Sequence, residues 1–245
     1  MQENNWYADA LPLSQVDLKQ FGKTLIIAPH QDDESLGCGG TIFLLRKLKI
    51  PVHVVFVSDG SMSHPNSKSY PAEELIALRE TESINALKIL GVESSEISFL
   101  RLKDSKLPTS EKDDFVNAVN LMQEVIQNFK PEIVFVPWQR DPHPDHRATW
   151  QIVDQVRKNT NSPIRKFEYF IWLWERAGSN DLPKCGECNV WKVNIELAKE
   201  HKKQAIAAHI SQTTNLINDD PDGFTLSLEV LAHFDKPFEI FIEKP

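Results

Sequence analysis

Five consecutive positions, His30-Gln31-Asp32-Asp33-Glu34, carry one histidine and three carboxylates, and a second stretch, His143-Pro144-Asp145-His146, carries two histidines and an aspartate. Neighbouring carboxylates raise the pKa of one of the pair unless a positive charge offsets their repulsion, and a divalent ion is the strongest such charge available. The division of labour this suggests is one aspartate as ligand and the other as base. Read alone, "HQDDE" is equally a solvated turn that opens a helix, where acidic residues favour the dipole. The second stretch is harder to assign to packing, because His143 and His146 are three apart and can face one side of a helix that Pro144 opens. Together the two stretches offer an ion two histidines and one carboxylate, with acid and base groups to spare. Three protein ligands and one water make the open arrangement of a catalytic zinc site. The same donors describe the iron facial triad, so Fe2+ or another divalent metal satisfies them as well as Zn2+ does. A phosphoesterase, an iron oxygenase and a non-catalytic carbohydrate or nucleotide binder are the rival readings.

Such groups need a scaffold that brings distant segments together. Short β-branched runs at 24–29, 52–60, 97–102 and 132–138 predict strands. Apolar residues at helical spacing in 39–49, 72–91 and 111–129 predict helices between them. This alternation implies an α/β fold, a Rossmann-like doubly wound and mostly parallel sheet with helices on both faces. Sheets of this kind place ligands at the carboxyl ends of their strands, where both motifs begin. Further strands are expected at 166–175, 189–195 and 237–242, a helix at 195–209, and loops at 178–188 and 218–223. Gly37, Gly39 and Gly40 permit close packing or backbone approach to a ligand, but they do not spell a dinucleotide fingerprint. With no long linker and no repeat, residues 1–245 are expected to form a single domain.

The 245 residues carry a formal net charge of −8, with 41% apolar and 25% charged residues. That balance argues against nucleic acid or an anionic membrane as the main partner and suits a small-molecule substrate. The N-terminal residues lack the pattern of a signal peptide and no run reaches the length of a membrane span. Three cysteines fit a reducing, cytoplasmic setting.

On these motifs the sequence resembles the PIG-L (LmbE-like) family of zinc-dependent N-acetylglucosamine deacetylases. "PHQDDE" is similar to the family's Ala-His-Pro-Asp-Asp-Glu, and residues 143–146 to its His-Pro-Asp-His. The likeness continues through "SDG" (58–60), "LRETES" (78–83), "KDSKL" (103–107) and "AAHISQ" (207–212). It implies a single deacetylase domain that hydrolyses the amide of an acetylated amino sugar or glycoconjugate. By motif position it implies His30, Asp33 and His146 as zinc ligands and Asp32 as general base. It further implies His143, oriented by Asp145, as the group acting on the oxyanion and the leaving amine. Arg79 and Asp104 match sugar-binding positions, although Arg79 also reads as an exposed helix residue paired with glutamates. Gln31 stands where the family usually has proline, a change that loosens the turn and removes no reacting group.

Cys185 and Cys188 form a single C-x-x-C, read as part of a surface loop. His209 is expected to be packed or on the surface, with a place near the site or at a contact between copies in a homo-oligomer as the alternative. Of Trp172, Trp174 and Trp191, one is a candidate platform for a sugar ring. Specificity is expected to lie in the loop 61–71 and the C-terminal third.

Overall fold

The apolar runs form strands that are covered on both faces, which is why they read as unbroken β-branched stretches instead of alternating ones. The computed structural model describes residues 6–160 and 163–244. Its strands are β1 (Leu11–Leu13), β2 (Thr24–Ala28), β3 (Val52–Ser58), β4 (Ile97–Leu102), β5 (Ile133–Pro137), β6 (Arg165–Tyr169), β7 (Asn189–Asn194) and β8 (Phe238–Glu243). They make one eight-stranded sheet in the order β1-β7-β8-β6-β5-β2-β3-β4. Paired strands are parallel except where β8 runs against β6 and β7.

The helices are α1 (Gln15–Leu18), α2 (Asp33–Lys47), α3 (Ala72–Ile89), α4 (Phe115–Phe129), α5 (Pro144–Thr160), α6 (Leu173–Arg176), α7 (Lys199–Ala208), α8 (Ile210–Thr213) and α9 (Leu228–Ala232). Alternate residues of each strand serve opposite faces. Ile26 and Ala28 of β2 pack with Leu36 and Ile42 of α2, Leu87 of α3 and Ala205 of α7. Leu25 and Ile27 face the other way, towards Met122 of α4 and Ile152 of α5. The doubly wound reading is thus observed.

The close seat of α2 explains two of its glycines. A Cβ at Gly37 would run into the Tyr169 ring, and one at Gly40 would lie 2.7 Å from Ile195 Cβ. Tyr169 uses that proximity to donate its hydroxyl to Ile27 O at 2.9 Å.

Three expectations are corrected. The run 166–175 is not one strand: β6 ends at Tyr169, opposite the last residue of β5, and Leu173–Arg176 turn into α6. With no further partner to pair with, the chain is drawn out of the sheet by Asp141, whose Oδ2 accepts from Trp172 N at 3.1 Å and Ile171 N at 3.4 Å. The helix expected from residue 39 begins at Asp33, and the one expected over 195–209 is a short 3-10 turn, Glu196–Ala198, followed by α7.

What matters for function is the order at the sheet's centre. From β2 the chain moves outward on one side through β3 and β4, while β5 lies on the other side of β2 and leads to β6. The carboxyl ends of β2 and β5 therefore open onto the crevice where winding reverses. Both motifs start there.

Candidate metal centre

Asp33 and Glu34 open α2, and Asp145 and His146 open α5. The turn between β2 and α2 is backbone-strained: Asp32 has φ 148° and ψ −28°, a conformation costing roughly 1–3 kcal/mol unless its surroundings enforce it. Here they do. Arg79 Nη2 donates to Gln31 O at 2.9 Å and Nη1 to Gly60 O at 3.0 Å. Gln31 Nε2 donates to Ser58 O at 3.1 Å, and Asp32 N to Glu34 Oε2 at 3.1 Å. Gln31 thus ties the turn to the end of β3.

Around this turn the sequence-predicted groups converge. Asp33 Oδ2 accepts from His30 N at 2.9 Å, and the same oxygen lies 3.3 Å from His30 Nδ1 and 3.3 Å from His146 Nε2. On its other side His30 Nε2 lies 3.3 Å from Asp104 Oδ1 and 3.2 Å from Asp145 Oδ2. The rings of His30 and His143 are 4.8 Å apart, and those of His143 and His146 5.0 Å. Arg79, read from sequence as an exposed helix residue or a sugar ligand, is 3% exposed and 3.7 Å from Asp32 Oδ2. The exposed reading is overturned, because α3 presents Arg79, Glu82 and Ser83 to the interior.

The groups gathered here shift one another's protonation. Burial and the Asp33 carboxylate push Asp32 up to about 7, against the pull of Arg79, His209 and His30. Asp33 is held far below the usual carboxylate range, since His146 and His30 outweigh the effect of burial. Burial opposes protonation of His146, but Asp33 and Asp141 prevail and raise it to about 9. His30 is likewise raised, against burial, by Asp104, Asp145 and Asp33. His143 goes the other way: burial, then His146 and His30, lower it to about 3.

This donor set asks for positive charge. His146 is fully buried, and neither of its ring nitrogens has a hydrogen-bond partner of adequate geometry, although carboxylates stand 3.2 and 3.3 Å away. Unpaired buried nitrogens facing an ionised carboxylate fit a cation better than they fit hydrogen bonding. Two groupings have donor atoms within 4.8 Å of one another, His30 with His143 and His146, and His30 with Asp104 and Asp145. Asp33 adjoins the first of these through His30 and His146.

The Asp145 carboxylate makes no hydrogen bond to the His143 ring; it accepts from Ser105 N at 2.8 Å and Leu107 N at 3.3 Å, and it faces His30. His143 is instead held by the Asp145 backbone N–H, which donates to its Nδ1 at 3.2 Å. In a neutral ring with Nδ1 accepting, the proton sits on Nε2.

Sequence reasoning gave no role to Asp141 or Glu34. Asp141 Oδ1 lies 3.2 Å from His146 Nδ1 and accepts from His143 N at 2.9 Å, while its other oxygen holds the chain at Trp172. Its place two residues ahead of His143 was the available signal. His209 is fully buried, with Nε2 3.0 Å from Glu34 Oε1, so it braces the first turn of α2.

Above these groups lies a cavity of about 230 Å3. Asp32, Asp104 and His143 line its floor, and Met62, Trp172 and Phe224 are among its walls. Loop 61–71 is pinned over it, because Asp219 accepts from Ser67 Oγ at 2.7 Å and Lys68 N at 2.8 Å, and Phe224 N donates to Ser63 O at 2.7 Å. Trp172 is the wall aromatic among the three tryptophans named from sequence. Trp174 packs on Trp6 and Tyr7, and Trp191 donates to Glu243.

Known proteins resemble this chain in sequence and in fold. Residues 25–157 match the family model described as PIG-L, GlcNAc-PI de-N-acetylase. A probable N-acetyl-alpha-D-glucosaminyl L-malate deacetylase 2 of Bacillus subtilis is 31% identical over 80% of this chain and 85% of that protein. The structure of N,N'-diacetylchitobiose deacetylase from Pyrococcus horikoshii superposes with a TM-score of 0.65 at 27% identity, covering 82% of this chain and 74% of the other. A deacetylase of teicoplanin biosynthesis shares the fold, with a TM-score of 0.66, 23% identity, and coverage of 90% and 97%.

Proposed function

The chain belongs to the PIG-L family, and on that premise we propose that it is a metal-dependent hydrolase removing the acetyl group from an N-acetylated amino sugar or amino-sugar conjugate. The observation that carries the reading is the position of Asp33 Oδ2, 3.3 Å from both His30 Nδ1 and His146 Nε2, with Asp32 beside it in the cavity. His30, Asp33 and His146 are the proposed ligands and Zn2+ the proposed ion. Bound there, it supplies a lowered pKa for water, to roughly 7, and polarisation of the amide carbonyl.

The remaining work falls to the chain's own side chains. Asp32 is the general base: its carboxylate takes the proton of the attacking water and returns it to the departing amine nitrogen. His143, neutral and fixed through Nδ1, donates from Nε2 to the oxyanion that forms as the carbonyl becomes tetrahedral. Asp104 and Asp145 orient His30, and Asp141 orients His146, as partners of metal-bound imidazoles do. Arg79 holds the strained turn that aims Asp32 and, with Asp104, lines the sugar pocket.

Cys38, Cys185 and Cys188 are free thiols, which supports a cytoplasmic setting, and no helix among the described residues is long and apolar enough to cross a membrane. We read residues 1–245 as one deacetylase domain. The test is incubation of the zinc-loaded protein with a panel of acetylated amino sugars, followed by mass spectrometry. Loss of one acetyl group with release of acetate is expected; inorganic phosphate from phosphorylated sugars, or oxygen uptake, would favour the rival metal enzymes.

A further inference from the structure

At 230 Å3 the cavity is smaller than the roughly 300–1,000 Å3 of pockets that enclose drug-sized ligands. That volume has room for about one sugar ring, so on the deacetylase reading whatever is linked to that sugar lies at the mouth. Two arginines line the cavity, and they differ in one respect. Arg79 is buried and spends both terminal nitrogens on backbone carbonyls. Arg176 is exposed, and among the described residues its guanidinium has neither an ion pair nor a hydrogen bond. The carboxylate next to it in sequence is already taken, since Glu175 Oε2 faces His233 Nε2 at 2.9 Å.

Arg176 is nevertheless held in place. Its guanidinium carbon lies 3.9 Å from the centroid of the Trp172 ring, and Trp172 packs edge-on against Phe224 at 5.7 Å. Trp172 in turn is anchored by its backbone N–H to Asp141, the carboxylate that braces His146. A planar guanidinium laid on an aromatic face keeps its N–H edge free for a bidentate oxyanion.

We propose that Arg176, stacked on Trp172 at the mouth of the cavity, selects substrates whose amino sugar carries an anionic substituent, a carboxylate or a phosphate. The proposal rests on the deacetylase reading and goes beyond it by assigning the charge of the linked group. Among the relatives, the names include both an anionic malate conjugate and a neutral disaccharide, so those names do not decide the matter.

The test compares kcat/KM of the zinc-loaded protein on three probes: N-acetylglucosaminyl malate, N-acetylglucosamine 1-phosphate and neutral methyl N-acetylglucosaminide. At least one anionic probe is expected to exceed the neutral one by about tenfold through a lower KM, with the advantage shrinking as salt rises. Whichever anion leads identifies the chemistry read. Arg176→Gln is expected to cut that preference about tenfold, and Arg176→Lys to retain part of it. Equal rates on all three probes, or a preference that survives Arg176→Gln, would overturn the proposal. If no probe is deacetylated, the deacetylase reading fails, and calorimetric binding of the anionic probes still decides the role of Arg176. Weaker binding by Arg176→Gln supports it, and equal binding overturns it.

Discussion

Asp33 Oδ2 lies 3.3 Å from His146 Nε2, although the two residues open helices that follow different central strands. That contact exists because β2 and β5 are neighbours at the point where the sheet reverses its winding. It joins a carboxylate held ionised to a buried imidazole whose two ring nitrogens face carboxylates at 3.2 and 3.3 Å without a well-aligned hydrogen bond.

Replacing Asp32 by Asn removes the proposed base and leaves the three ligands. Turnover is expected to fall about 10²- to 10⁴-fold with one metal ion per chain retained, measured by acetate release alongside elemental analysis. Near-normal turnover would take the base role away from Asp32.

Asp141→Asn weakens the brace on His146 without touching a ligand. Loss of such a partner typically costs about 10–100-fold in metal affinity, so competition titration with a chelator is expected to show a shift of that size. An unchanged affinity would mean that Asp141 serves only the backbone at His143 and Trp172.

Glu239 of β8 accepts from Lys202 Nζ and Gly40 N, and its second oxygen from Thr41 N and Oγ1, all in the interior. Lys202→Met leaves that carboxylate without its cation. Breaking a buried pair on one side costs about 3–5 kcal/mol, a loss readable by urea denaturation. A change below about 1 kcal/mol would show that the backbone donors alone satisfy Glu239.

Arg140 stacks on Trp138, donates twice to Glu187 at 2.6 and 2.8 Å, and so pins the loop that contains Cys185 and Cys188. The Arg140 hydrogen bonds hold Glu187 down at about 2, against burial. A depressed carboxyl contributes stability that is present above its ordinary pKa near 4.5 and is lost as pH falls towards 2. Wild type is therefore expected to exceed Glu187→Gln by roughly 1 kcal/mol at pH 7, after allowance for solvent screening, with the gap closing between about pH 5 and 2. A gap independent of pH would contradict the assignment.

The scaffold and the two half-sites were legible because each signal is local. The buried strands show as β-branched runs, and each half-site follows its strand within a few residues. The supporting groups were not, since they matter only through partners remote in sequence: His209 reaches Glu34, and Glu239 reaches Gly40 and Thr41, once α7 and β8 close over α2. Arg79 left two readings open for a related reason. Helical periodicity finds a core face by its apolar residues, and the buried face of α3 carries Arg79, Glu82 and Ser83 among Leu75, Ala86 and Leu87. Arg176 was hidden because 166–175 reads as one apolar strand, and the turn that breaks it is imposed by Asp141 on the neighbouring segment.

The most direct measurement is anomalous diffraction at the zinc edge from crystals soaked in that metal. The account predicts one peak about 2.0–2.2 Å from ligand atoms of His30, Asp33 and His146. A peak held instead by His30, Asp104 and Asp145, or none near His146, would contradict it.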